Sequence, residues 1–276
     1  MKRVVIVSDL HCGHRAGITP PGWWYQSDSG NHERDSNASQ QRAMWDWFTR
    51  AVDRLKPIDA LFVNGDSIDG KGERSGGTEQ LEPDRLKQCD MAVEVLSRFE
   101  AAEEVMTYGT PYHVGKDEDY ENIVAQRLGG TIHGHAWPEV NGLVFDLKHK
   151  IGGSTVPHGR YTAIARDALW NELWAIRDGQ PLADVIVRSH VHYTVWAGSP
   201  GKLGVVTPAL QGWGSKYGVR QCAGVVDVGF LSFDINSKEE YAWTRHLFAP
   251  KFQSAMTLKL FNSNSPSKTL PENPSR

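Results

Sequence analysis

The first hundred residues alternate between short apolar runs and longer amphipathic stretches. The run at 4–7 and the stretch DALFVNGD, at 59–66, are apolar, and an acidic residue follows or closes each of them. Between them, residues 38–55 carry apolar side chains at helical spacing. A second helix is expected from about Pro83, with the proline in its first turn, and a strand is expected at 104–108. This β-α-β-α-β order predicts a parallel sheet with helices packed on it.

The pattern changes after residue 138. The segment EVNGLVFDLKH, at 139–149, places Asn141-Gly142 between two alternating runs and predicts a hairpin. Residues 161–179 have the spacing of an amphipathic helix closed by Gly179. Four strand-like segments follow, with the sequences DVIVRSHVHYTVWAG, KLGVVTPAL, AGVVDVGFLSFDI and EEYAWTRHLF. They predict a second, largely antiparallel sheet whose inner face packs on the first.

The chain of 276 residues is 39% hydrophobic, which is enough for a sizeable core and excludes a fibrous or disordered protein. We find no internal repeat and no clear linker, so we expect one domain at 1–261. Inserted loops are expected at 12–37 and 67–82. Residues 262–276 are rich in Ser, Pro and Asn and are expected to be disordered.

Charge and cysteine usage narrow the class of protein further. The net charge of −3 gives no sign of a broad polybasic surface for nucleic acid or membrane, although a local basic groove remains compatible with it. The three cysteines, Cys12, Cys89 and Cys222, are far apart and form no CxxC pair. The apolar run at 4–7 is too short for a signal peptide, and no stretch approaches the ~20 residues that span a bilayer. We therefore expect a cytoplasmic protein with no membrane partner.

Three apolar segments end on residues that can bind a metal. Asp9 and His11 follow the first, Asp66 ends the second, and His190 and His192 follow a later one. Ligands of open α/β sheets lie beyond the carboxyl ends of the strands, and side chains two positions apart share one face of an extended chain. Alternatively, Asp9 caps a turn and His11 is a satisfied polar side chain. Mixed carboxylate and imidazole ligands suit Mn, Fe, Zn or Co better than Ca.

The order of the motifs resembles the calcineurin-like metallophosphoesterase superfamily. The matching parts are Asp9-Leu10-His11, Gly65-Asp66, a loop containing Gly109, an isolated His149 and His190-Val191-His192. The resemblance runs from the first strand to about residue 192. It implies an α/β fold built as a two-sheet β sandwich flanked by helices. It also implies two divalent metal ions, with Mn foremost and Fe, Zn, Ni or Co as alternatives.

The resemblance assigns ligands as well. Asp9, His11 and His192 would bind one ion, Asp66 would bridge the two, and His149 and His190 would bind the other. A hydroxide bridging the ions would attack phosphorus directly, so no protein nucleophile is needed. A surface histidine flanked by lysines is the other interpretation of His149. The pair His133 and His135 forms another H-x-H motif, but it precedes the hairpin and the superfamily order disfavours it.

The segment Gly109-Thr110-Pro111-Tyr112-His113 departs from the superfamily pattern Gly-Asn-His-Asp/Glu. In the superfamily the asparagine binds the second metal and the histidine helps the leaving group depart. Thr110 is a poor replacement, because a neutral hydroxyl is a weaker ligand than an amide oxygen. Three outcomes stay open: His113 is a ligand, His113 is a general acid, or the second metal binds weakly. We take His113 as the functional histidine. The variant loop resembles superfamily members from phage and prophage genomes.

The sequence indicates the substrate less clearly than it indicates metal-dependent phosphoester hydrolysis. Trp23, Trp24 and Tyr25 could stack on a nucleobase or pack their loop onto the body of the protein. Arg15 could contact a phosphate or be solvated. The favoured function is a phosphodiesterase acting on nucleic acid or nucleotides, although the acidic net charge argues against a nuclease of long duplexes. The alternatives are a catalytically silenced binding protein of the same fold, a phosphomonoesterase or a protein phosphatase. The sequence identifies no protein partner.

Overall fold

The computed structural model describes residues 1–26, 32–115, 119–212, 215 and 226–249, and for 32–36 and 74 it describes the backbone alone. Cys222 and the predicted disordered tail at 262–276 lie outside these residues. Within the described ranges, no helix is both long enough and apolar enough to cross a bilayer.

The described residues form eleven strands and five α-helices. Their bounds, in chain order, are β1 Lys2–Val7, α1 His32–Asp53, β2 Ala60–Asn64, α2 Arg85–Leu96, β3 Glu103–Thr107, α3 Pro111–Val114, α4 Tyr120–Leu128, β4 Thr131–His133, β5 Glu139–Val140, β6 Leu143–Lys150, α5 Gly159–Ile176, β7 Val185–Ser189, β8 Val195–Ser199, β9 Lys202–Val206, β10 Val228–Ile235 and β11 Tyr241–Phe248.

The first sheet has six strands in the order β11-β10-β1-β2-β3-β4. Its strands β1, β2 and β3 are parallel neighbours, as the β-α-β-α-β pattern predicts, and β4 adds a further parallel strand that the pattern did not predict. Strand β2 is buried along its whole length, because helices cover one face of the sheet and the second sheet covers the other.

Strands β10 and β11 complete this first sheet, so the prediction that placed them in the second sheet is wrong. β10 runs antiparallel to β1 and pairs Ile235 with Lys2 and Leu231 with Ile6. β11 then pairs antiparallel with β10. β2 pairs with only one edge of β1, so the other edge of β1 is available to β10. The alternation of side chains within a strand specifies its faces, but it does not specify which open edge the strand joins.

The second sheet has the order β5-β6-β7-β9-β8 and is mixed, so the prediction of a largely antiparallel sheet is wrong. β6 and β7 are parallel, as are β7 and β9, whereas the pairs β5–β6 and β8–β9 are antiparallel. Helix α5 connects β6 to β7, and a helical crossover returns the chain to a parallel strand. The predicted hairpin between β5 and β6 is confirmed, with left-handed backbone at Asn141 (φ 51°) and Gly142 (φ 83°).

Apolar clusters confirm the layered α/β/β/α arrangement. The cluster between the sheets includes Phe62 from the first sheet and Phe145 from the second. A cluster on the outer face of the first sheet packs Phe48 of α1 against Phe99 and Phe230. On the outer face of the second sheet, α5 packs against β8 and β9. The α/β fold class expected from the resemblance is therefore the observed one.

Three helix ends differ from the predictions. Helix α1 begins at His32, before the expected start at residue 38. Helix α2 begins after Asp84, so Pro83 precedes the N-cap and is not in the first turn. Helix α5 is followed by left-handed backbone at Asp178 (φ 54°) rather than at Gly179. These positions depend on the local capping contacts, which the apolar pattern does not encode.

The N-cap of α2 gives a stability prediction. The Asp84 side chain accepts hydrogen bonds from the backbone N–H groups of Leu86 and Lys87. We expect Asp84→Ala to lower the free energy of unfolding by about 1 kcal/mol. Glu94→Ala, which removes an exposed acid from the same helix without touching the cap, should change it by less than about 0.5 kcal/mol. Urea denaturation measures both variants, and equal effects would contradict the capping role.

Candidate metal centre

The loops that follow five parallel strands meet at one end of the two sheets. Loops after β1, β2 and β3 come from the first sheet, and the ends of β6 and β7 come from the second. Backbone hydrogen bonds from Asp9 N to Gly65 O (2.9 Å) and from His11 N to Asp66 O (3.1 Å) tie the first two loops together. They surround a cleft of about 800 Å³.

The predicted ligands occupy strained backbone rather than extended strand. Left-handed φ angles occur at five of them, Asp9 (50°), His11 (46°), Asp66 (55°), His190 (79°) and His192 (55°). Only three other described non-glycine residues have positive φ. Each such residue costs about 1–2 kcal/mol, and strain of this kind is typical of functional sites. Asp9 and His11 therefore converge through left-handed backbone, whereas His190 and His192 join different groups of ligand atoms. The expectation that each pair shares a face of an extended chain is wrong.

The first group of ligand atoms comes from Asp9, His11 and His192. Their nearest atoms all lie within 4.8 Å of one another. His192 Nε2 is 3.3 Å from Asp9 Oδ1 and 3.2 Å from His11 Nε2. Asp9 Oδ2 accepts a hydrogen bond from Ser8 Oγ at 2.7 Å, whereas Oδ1 is buried without a hydrogen-bond partner among the described residues. A bound cation would satisfy such an orphaned oxygen.

The second group comes from Asp66, His149 and His190. His149 Nδ1 lies 2.7 Å from the Asn64 carbonyl and donates to it, and Nε2 lies 2.9 Å from Asp66 Oδ2. Donation of the other ring nitrogen to a carbonyl is typical of metal-binding histidines. His149 is buried, unlike a surface histidine. His190 is partly exposed, so this group faces the cleft.

The ionisation states favour cation binding by both groups. Burial raises the pKa of Asp66, but His149 and His113 lower it by more, to well below its ordinary value. Asp9 behaves in the same way, because the nearby His149 and His192 outweigh burial and hold its pKa low. Burial, together with His113 and His192, also lowers the pKa of His11, so this imidazole is neutral. Two ionised carboxylates, with the neutral ring of His11 beside Asp9, form part of a donor set that suits a borderline divalent metal.

Thr110 contacts Asp66 and joins neither group. Its backbone N–H donates to Asp66 Oδ1 at 2.7 Å, and its hydroxyl lies 3.2 Å from the same oxygen. Gly109 makes this approach possible, because a Cβ there would overlap Asp66 Oδ1. The loop that departs from the superfamily pattern therefore orients the second carboxylate.

His113 lies next to the first group. Its ring contacts the ring of His11 edge-on at 4.4 Å, and its Nδ1 donates to the carbonyl of Asp69 at 2.8 Å. His11, Asp69 and His113 form a third set of potential ligand atoms within 4.8 Å. This position is compatible with both a ligand and a proton donor.

Sequence reasoning missed two buried acids of the site. Asp69 lies three residues after Asp66, in a segment expected only to be an inserted loop. Glu121 lies in the first turn of α4 and accepts hydrogen bonds from the backbone N–H groups of Ser67 and Gly109, both at 2.7 Å. Burial and the nearby Asp66 raise the pKa of Glu121 to about 7. Asp69 could have been noticed from the sequence, because it lies three residues after the predicted ligand Asp66 in the segment GDSID. The sequence around Glu121 contains no motif that indicates a role in the site.

The other candidates lie outside the centre. Trp23 and Trp24 pack against the core cluster beneath the first sheet, and the Trp24 indole donates to the Thr19 carbonyl. Arg15 pairs with Glu79 at 3.2 Å. Neither the two tryptophans nor Tyr25 and Arg15 are among the described residues that line the cleft. The aromatic residues that do line it include Tyr108 and Tyr112.

Two other histidines, His135 and His14, belong to none of these groups of potential ligands and have other contacts. His135 Nε2 lies 2.7 Å from Asp146 Oδ1, in a network that also contains Arg188, and its ring lies against Trp137. His14 Nδ1 accepts from the backbone N–H of Ala16, so its proton is on Nε2 and neither nitrogen is available to a metal.

Comparisons with known proteins identify no close relative. No protein-family model matches the chain, and no curated protein matches it significantly. Matching solved structures include a single mutant of Vps29 from Entamoeba histolytica (15% identity, TM-score 0.44, covering 90% of this chain and 99% of that chain). They also include an archaeal phosphodiesterase (13%, 0.43, 88% and 99%) and Vps29 from Chaetomium thermophilum (11%, 0.45, 89% and 97%). Similarity at this level does not transfer activity, ligand or partner to this chain.

Metal binding at the second group should release a proton. Burial lowers the pKa of His149, but Asp66 and Asp9 raise it by more, to about 10. A metal needs the neutral ring, so the apparent affinity for Mn²⁺ should rise with pH, by up to about tenfold per unit below pH 10. Titration calorimetry at pH 7 in two buffers of different ionisation enthalpy should give different binding enthalpies. Equal enthalpies would contradict this assignment.

The same pKa sets the pH dependence of the metal-free protein. Because the folded pKa is raised, protonated His149 contributes stability fully below its ordinary pKa of 6.5 and loses it as pH rises through about 10.

Glu121 should be needed for both stability and metal uptake. Glu121→Gln replaces one acceptor oxygen by an NH₂ group that faces a backbone donor. We expect it to lower the free energy of unfolding by about 1–3 kcal/mol and to reduce the Mn²⁺ content. Urea denaturation and elemental analysis measure the two effects, and Glu94→Gln, at an exposed position of α2, is the matched control. Unchanged stability would show that the two hydrogen bonds do not hold the loops.

Proposed function

We propose that the protein is a metal-dependent phosphoesterase that acts most readily on phosphodiesters. The observation that supports this most directly is the pair of Asp-His-His groups, side by side on the floor of one cleft. Asp9 Oδ1 lies 3.9 Å from His149 Nε2, so the two groups are in contact. The motif order that resembles the calcineurin-like superfamily supports the same activity.

The donor atoms fit two divalent ions. Asp9, His11 and His192 would hold one, and Asp66, His149 and His190 would hold the other, with Asp66 as the proposed bridge. Mixed oxygen and nitrogen ligands favour Mn, and Fe, Zn, Ni or Co are the alternatives. When bound, such ions neutralise phosphate charge and lower the pKa of water.

The chain's own residues would orient the reaction. Thr110 and Glu121 fix the position of Asp66 and of the loops around it. We assign His113 the role of proton donor to the leaving oxygen. Its Nδ1–H donates to the Asp69 carbonyl and His113 lines the cleft, so the imidazolium form of His113 would donate its Nε2 proton to the leaving oxygen.

Shape and charge favour small or single-stranded substrates. The open cleft has room for both arms of a diester, and its wall carries the Tyr108 and Tyr112 side chains. The net charge of −3 is unfavourable for a long duplex, because duplex affinity depends on many Lys and Arg contacts to phosphate. A nucleotide or a short nucleic-acid strand is the substrate class that we propose.

A catalytically silenced binding protein is the second candidate. It is favoured by one observation: the Thr110 hydroxyl lies at hydrogen-bond distance from Asp66 and joins neither ligand group. Metal uptake without turnover would support this candidate.

Hydrolysis of bis-p-nitrophenyl phosphate and p-nitrophenyl phosphate tests the proposal, with metal-stripped protein reloaded with Mn, Ni, Zn or Mg. We expect diester cleavage with Mn²⁺ and its loss in Asp66→Asn. His113→Ala should slow a diester with a poor alkoxide leaving group by about 10²–10⁴-fold, and a p-nitrophenyl ester much less, because nitrophenolate needs little protonation. His158→Ala, outside the cleft, should behave as wild type. Absence of turnover with every metal would contradict the enzyme assignment.

A further inference from the structure

Two lysines flank His149 at the end of β6. Lys148 and Lys150 are both exposed, and both line the same cleft as His149 and His190. The pairing of β6 with β7 shifts register between Leu147 and Lys150, which is the geometry of a bulge. A bulge redirects side chains at the end of a strand. The two lysines therefore occupy the rim of the cleft while His149 lies buried in its floor.

These lysines differ from most others in the described part of the chain. Lysines 2, 56, 87, 202 and 238 each lie within 4 Å of a carboxylate. Within the described residues, Lys148 and Lys150 have no ion pair. Arg15, another cation near the cleft, is paired with Glu79. Two uncompensated positive charges thus stand beside the second group of ligands.

The spacing suits an anion that is close to the reacting phosphate but distinct from it. Two residues of strand span about 7 Å, so the lysines bracket His149 along β6. Lysine binds phosphate as a flexible point charge, and a pair on one rim would attract a phosphate without fixing its orientation.

We infer that Lys148 and Lys150 form a subsite for a second phosphate group on the substrate. The inference rests on the proposed function, and it narrows the substrate class to phosphodiesters that carry another phosphate. A nucleoside with a second, terminal phosphate and an oligonucleotide with a neighbouring diester share this chemistry. The scissile phosphate lies at the two Asp-His-His groups, and the second phosphate lies at the lysines.

Three p-nitrophenyl esters test the subsite. Thymidine 5′-(p-nitrophenyl phosphate) has no second phosphate, its 3′-phosphorylated form has a terminal one, and the p-nitrophenyl ester of a dithymidine phosphate has an internal diester. In Lys148→Ala/Lys150→Ala, we expect KM to rise about tenfold for one or both of the last two substrates and to stay unchanged for the first, with kcat unchanged. A rise for the 3′-phosphate alone identifies a terminal phosphate, and a rise for both identifies a general phosphate subsite.

Two controls isolate the effect of position and charge. Lys87→Ala/Lys238→Ala removes the same charge from exposed sites outside the cleft and should leave every KM unchanged. Lys148→Arg/Lys150→Arg keeps the charge and should restore wild-type values. An equal rise of KM for all three esters, or no rise for any, would overturn the subsite.

Calorimetry separates this inference from the proposed function. If no ester is hydrolysed by the wild-type protein, binding of thymidine 3′,5′-bisphosphate and thymidine 5′-monophosphate is compared in the presence of Mn²⁺. Tighter binding of the bisphosphate that is lost in the double alanine variant supports the subsite without any catalysis. Equal affinities for the two nucleotides, or a preference that the variant retains, would overturn it.

Discussion

The fixed position of the Asp66 carboxylate is the constraint on which the rest of the site depends. One of its oxygens accepts from the backbone of Thr110, and the other lies 2.9 Å from His149. Only a glycine at 109 lets the loop come this close, and Glu121 bonds to the backbone on both sides of the contact. Three loops are therefore coupled through two buried carboxylates. Moving any one of them would disturb ligands that come from both sheets.

Backbone strain and charge repulsion at this site cost folding free energy, and the packing of the layered fold offsets that cost. Five of the proposed ligand positions have left-handed backbone, and two buried carboxylates, Asp9 and Asp66, repel each other. Strain of this size persists only where the surrounding structure determines it. Here the apolar clusters on both faces of the first sheet and the parallel pairing of β6 and β7 hold the loop ends in place. Divalent cations would relieve the repulsion, which is why the arrangement is better suited to metal binding than to structural stability.

The aromatic and basic residues near the cleft differ in their contacts. The segment 12–26 contributes tryptophans to the core, and its Arg15 pairs with Glu79 of the segment 67–82. Lys148 and Lys150 line the cleft without an ion pair among the described residues, and Tyr108 and Tyr112 line the same cleft. Among the described residues, the cleft is therefore lined by the two lysines of β6 and not by Trp23, Trp24 or Tyr25, although these aromatic residues have the more suggestive sequence.

Local sequence patterns specify the early elements and the ligand candidates. Strands β1, β2 and β3, their parallel order and the Asn141-Gly142 hairpin follow from such patterns, because side-chain periodicity and turn chemistry are properties of short segments. The roles of distant segments emerge only in the folded molecule. Folding places β10 beside β1 and β11 beside β10, and it makes the second sheet mixed. It also buries His149, for which the neighbouring lysines had left a surface position as the alternative. It also brings in Glu121, whose partners Ser67 and Gly109 are distant in sequence and meet it only when the loops close. Contacts of this kind depend on which edges and loop ends come together in space, and no local pattern records that.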